Sequence, residues 1–174
     1  MKQTKKITLS AMVVALSTVF MVLGAVVDML DLSVCALASL LVAFVYIEIG
    51  SPYTWLVWIC TSLATFVCFP GSIIWMEYFL VFGIYPILKA YIEKLPRRIW
   101  LIVKLLFINA IIWVLIFCVE LILGIPFFAV DKLWLKAAIY VLMNVAFIAY
   151  DLFITVLVRV YFEKFRPRFK KFLK

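Results

Sequence analysis

Histidine is absent from the 174 residues, which removes the commonest general base and the commonest metal ligand. Charge is scarce too: Asp, Glu, Lys and Arg make up 15% of the chain, and carboxylates number nine. No P-loop is present, so any ATP must be spent by a partner. The four cysteines, Cys35, Cys60, Cys68 and Cys118, lie in apolar surroundings with no C-x-x-C. They read as small hydrophobes, not as a disulfide or zinc framework. No paired nucleophile and base stand at a readable spacing, so an enzyme is not expected, nor a metal or cofactor site. Nor does a Ser/Gly/Pro-rich linker or repeat divide the chain, which predicts one domain over residues 1–174.

What is abundant is apolar surface. Hydrophobic residues reach 69% and the mean hydropathy is +1.24. A soluble core of this size cannot hide so much, whereas runs of about 20 apolar residues are what a bilayer requires. The sequence therefore predicts an all-α integral membrane protein, a bundle of six transmembrane helices over residues 7–27, 32–49, 53–69, 72–91, 99–123 and 135–160. Pro70-Gly71 ends the third span, and Pro86 is expected to kink the fourth. The first run is longer than the roughly 7–15 residues of a signal h-region, and five more follow it.

Charge assigns the sides. Lys2, Lys5 and Lys6 precede span one, and Lys94, Arg97 and Arg98 follow span four. Arg159, Lys164, Arg166, Arg168, Lys170, Lys171 and Lys174 close the chain. A six-span count puts all three groups on one side, so both termini are expected in the cytoplasm. Asp28, Asp31, Asp131, Lys132 and Lys136 fall opposite, and Glu48 ends span two in water on the cytoplasmic side. The net charge of +8 is thus read as topology and contact with anionic lipid, not nucleic-acid binding.

Charged groups inside spans cost about 2.5–3.5 kcal/mol at a helix centre and mark candidate sites. Tyr140, Asn144, Asp151 and Thr155 share one face of span six, and Asn109, Trp113 and Glu120 one face of span five. Glu77 lies beside Trp75 and Tyr78 near the outer end of span four. Trp75, Glu77, Asn109, Trp113, Glu120, Tyr140 and Asn144 could line an outward-open substrate pocket with aromatic walls. The competing account gives the Trp and Glu side chains to the headgroup region and pairs Asn109 with Asn144 across helices. Asp151 reads as half of a structural ion pair with Arg159, Lys104 or Lys89.

On span one, Ala11, Ala15, Thr18, Val22 and Ala25 stay within about 40° of one meridian. Small residues let another backbone approach closely, so Ala11, Ala15 and Thr18 are read as a partner interface; packing within the bundle is the alternative.

The opening, Lys5-Lys-Ile-Thr-Leu-Ser-Ala11-Met-Val-Val-Ala15-Leu-Ser, resembles the start of substrate-binding S-components of energy-coupling-factor (ECF) transporters. That family joins a basic N-terminus to a first helix bearing Ala-x-x-x-Ala, and it shares the six spans and the length. The resemblance implies a bacterial-type plasma-membrane subunit that captures a vitamin or similar micronutrient. It would dock through Ala11 and Ala15 on a transmembrane T-component driven by two ATPase subunits. The family's nickel and cobalt members carry an N-terminal histidine that this chain lacks, which argues against a metal solute. The short link between spans one and two also departs from the family, where that loop often covers the ligand. The rival expectation is a membrane scaffold without a solute, similar to the MreD cell-shape proteins.

Overall fold

The computed structural model describes residues 3–27, 30–124 and 132–166. Among the described residues all regular structure is helical: α1 Gln3–Val26, α2 Asp31–Glu48, α3 Ser51–Cys68, α4 Ile74–Glu77, α5 Tyr85–Ile92, α6 Arg97–Cys118 and α7 Leu133–Val160. π-helical turns at Tyr78–Phe82, Val119–Leu123 and Tyr161–Phe165 follow α4, α6 and α7. Among the described residues, five helices are long and apolar enough to cross a membrane.

The expected fourth span is the exception. It is not one kinked helix but α4, a π turn and α5 in series, and Pro86 explains the break. Proline has no N–H, so the carbonyl of Phe82, four residues earlier, loses its helical donor. Tyr150 Oη on α7 donates to it instead, at 3.3 Å. Upstream, Gly83 N–H bonds back to Tyr78 O at 2.7 Å, skipping Phe79. Trp58 Nε1 on α3 donates to that freed Phe79 carbonyl at 3.1 Å and stacks on the Phe79 ring at 4.8 Å. Only glycine fits at position 83, because a Cβ there would come within 2.4 Å of Trp58 Cδ1. Side chains from both flanking helices thus satisfy the backbone where the apolar span is broken.

Pro52 lies in the first turn of α3, where a missing N–H costs nothing. Gly50 makes the sharp reversal before it, with φ at 106°.

α1, α2 and α3 form the larger core, around Val13, Met21, Cys35, Ala38, Val42, Val57 and Trp58, closed by Ile74 and Tyr78 of the broken span. The face of α1 turned inward is Ser10, Val13, Ser17, Met21 and Gly24, mostly small residues that let α2 and α3 approach. α6 and α7 join through a second cluster around Tyr85, comprising Ile108, Ile112, Ile116, Phe147, Tyr150 and Ile154.

The chain's basic clusters meet at one end of the bundle. Lys6 sits over the Tyr53 ring at 5.8 Å, and Lys94 over the Tyr91 ring at 4.8 Å. Tyr91 Oη is 3.2 Å from Ser51 Oγ. Glu48 corrects an expectation: it is not solvated, its side chain being 7% exposed. Tyr161 Oη donates to its Oε1 at 3.0 Å and Arg166 Nε pairs with the same oxygen at 3.3 Å. The helical end of α7 folds over the carboxylate and dries it. The remaining tail cations, Arg168, Lys170, Lys171 and Lys174, together with Lys2, Asp28 and Asp131, lie outside the described residues.

Candidate functional site

A cavity of about 520 Å³ opens between α2, the broken span, α6 and α7. That is the size of a small-ligand site, commonly about 300–1,000 Å³. Its wall begins with Leu32 and Ser33 in the first turn of α2 and Glu77 at the end of α4, at the end of the bundle away from the basic clusters. Val81, Phe82, Ile112, Leu115, Phe147 and Tyr150 carry it toward the middle. The break in span four shapes this space: a π turn holds one residue more than an α turn, which rotates Val81 and Phe82 relative to Glu77. The Phe82 and Tyr150 rings meet edge to face at 4.8 Å, and the Tyr150 hydroxyl is used on the Phe82 carbonyl. Glu77 is the only charged side chain in the described lining. Its Oε2 is shut off from solvent and has no hydrogen-bond partner among the described residues.

The seven expected pocket residues do not line one cavity. Glu77 lines the cavity; Trp75, Asn109, Trp113, Glu120, Tyr140 and Asn144 do not. Asn109 and Asn144 hold each other across α6 and α7: Asn109 Nδ2 donates to Asn144 Oδ1 at 3.2 Å, and Asn144 Nδ2 to Asn109 Oδ1 at 3.4 Å. Tyr140 Oη also donates to Asn109 Oδ1. The remaining amide hydrogens go to the backbone, Asn109 to Leu105 O at 2.7 Å and Asn144 to Tyr140 O at 3.1 Å. A set of polar groups that satisfies itself joins two helices and leaves little for a solute. Trp113 and Glu120 point to the outside of the bundle, Trp113 being 62% exposed. Trp75 braces the turn before α4, donating to Pro70 O at 3.3 Å and meeting Phe66 edge to face at 4.9 Å.

Asp151 is paired, but not with Arg159. Lys89 of α5 and Lys104 of α6 converge on it, Lys104 Nζ lying 2.9 Å from Oδ2. Lys89 also donates to Asp151 O at 2.7 Å and to Thr155 Oγ1 at 2.6 Å, and Tyr85 Oη donates to the carboxylate. Glu93 stands 3.6 Å from both lysines, so two cations face two carboxylates. Arg159 lies eight residues further along α7, roughly 12 Å at the helical rise, and is exposed. The lysine side chains are 6% and 12% exposed, and the cluster ties three helices near the basic end.

Ala11 and Ala15 lie on the outside of α1, uncovered by the bundle, with Thr18 half-buried beside them. Thr18 Oγ1 is turned back on Val14 O at 2.8 Å. The inward seam of α1 is the neighbouring one, Ser10, Ser17 and Gly24, so the two small-residue faces are separate.

The cavity walls missed at the sequence level, Phe82, Ile112, Phe147 and Tyr150, are ordinary apolar and aromatic residues with no polar signature. No protein-family model, curated protein or solved structure matches this chain.

Proposed function

We propose that this chain is the substrate-capture subunit of an ECF-type importer, taking up a vitamin-like micronutrient across the plasma membrane of a bacterial-type cell. The cavity carries the reading. It is large enough for a small solute, is mostly apolar with one carboxylate, and opens away from the end that gathers the basic clusters. With those clusters in the cytoplasm, the cavity faces the outer half of the bilayer. The uncovered Ala11/Ala15 seam supports a second role, docking on a transmembrane T-component that two ATPase subunits drive. No step needs a metal, cofactor or nucleic acid. The self-satisfied Asn109–Asn144–Tyr140 set favours the rival reading, an MreD-like scaffold whose polar groups only join helices.

Native mass spectrometry of the purified chain tests this. A retained small molecule is expected, lost when Ala36→Phe fills the cavity from α2. Ala11→Trp and Ala15→Trp are expected to abolish co-purification with a T-component while the protein remains inserted. A chain that retains no solute and assembles equally well with either tryptophan is a scaffold, not a capture subunit.

A further inference from the structure

The lining of the cavity fixes more than its volume. Around Glu77 the wall is hydrocarbon and aromatic ring, and no basic side chain lines it among the described residues. Deeper in, Phe82, Phe147 and Tyr150 present rings of the kind that attract a cation to their faces. A carboxylate in an apolar wall is costly to keep charged, and a ligand that brings a donor or a cation lowers that cost. An anionic solute would meet like charge; a neutral one could bring a donor but no opposite charge.

We infer that the cavity is selective for an amphiphilic monocation, a primary amine or ammonium on an apolar body, whose N–H groups bond Glu77. This rests on the capture reading above and names its substrate class. Ser33, on the first turn of α2, supplies a hydroxyl at the cavity mouth as a second contact for the head group. The lower walls take the apolar body.

The test uses the full chain in phosphatidylcholine nanodiscs, with empty nanodiscs as blank. Three probes share one tail and differ in head group: 4-phenylbutylamine, 4-phenylbutanol and 4-phenylbutyrate. The amine is expected to bind about tenfold more tightly than the alcohol, the scale of one hydrogen bond to a charged group, and the carboxylate more weakly than both. Glu77→Gln is expected to bring the amine down to the alcohol while leaving the alcohol unchanged. Equal affinity for the three, as a cavity filled by lipid tails would give, overturns the inference. So does no binding of any probe, or an amine preference that survives Glu77→Gln. The two readings fail separately. Amine selectivity with unaltered assembly of the Ala11→Trp variant rejects the importer alone; a co-purified solute without amine selectivity rejects the cation site alone.

Discussion

Asp151 holds more of the bundle than its size suggests, because two lysines from different helices depend on it. Replacing one partner of a buried pair leaves charge without compensation, at a cost of about 3–5 kcal/mol, whereas removing the pair together is far milder. Asp151→Asn is therefore expected to lower stability by about that amount in detergent unfolding. Lys89→Met with Asp151→Leu, which leaves Lys104 facing Glu93, is expected to recover most of it. A double variant no better than the single would show that the cluster matters for its shape and not for its charge. Glu77 is the opposite kind of residue: it lines the cavity, and its Oε2 has no hydrogen-bond partner among the described residues.

At the scale of the element, the broken fourth span decides most. Pro86 frees the Phe82 carbonyl and Tyr150 takes it, so the two residues are coupled across helices. Tyr150→Phe alone should cost about 1–2 kcal/mol by orphaning a buried carbonyl. In a Pro86→Ala background, where an N–H can serve that carbonyl, the same change should cost a few tenths of a kcal/mol, roughly the noise of an uncoupled pair. Unfolding measured on the four proteins gives the interaction directly, and strictly additive costs would mean that the break does not originate at Pro86. α7 raises a separate question of length. With its terminal π turn it runs 33 residues, roughly 50 Å against about 30 Å of hydrocarbon. The surplus is what brings Tyr161 and Arg166 onto Glu48.

At the scale of the whole molecule, members of the basic clusters among the described residues share one end. The start of α1, the α2–α3 turn, the end of α5 and the end of α7 meet through Lys6–Tyr53, Ser51–Tyr91 and Arg166–Glu48. With the positive clusters at that end, both termini are expected in the cytoplasm. A green fluorescent protein fused after Lys174 should therefore fluoresce in intact cells, and alkaline phosphatase at the same position should be inactive. The reverse pattern would turn the cavity toward the cytoplasm and remove its access to an external solute.

Hydropathy alone determined that this chain is helical, with helices of bilayer length, because a run of about 20 apolar residues satisfies its own backbone bonds only as a helix. The basic N-terminus, fourth link and tail likewise told which loops share an end, since each span reverses direction. Where side chains point was another matter. Helical spacing set Asn109 and Asn144 on faces of their own helices, but whether those faces meet each other or a void depends on how α6 and α7 pack. Asp151 had three cations within plausible reach, and the approach of α5 and α6 chose two of them. The cavity was the least legible feature of all. It lies between four spans, one of them broken at a proline and a glycine, and its walls are mostly residues that any packed core would use. Empty space is a property of the gaps between helices, and no single helix encodes it.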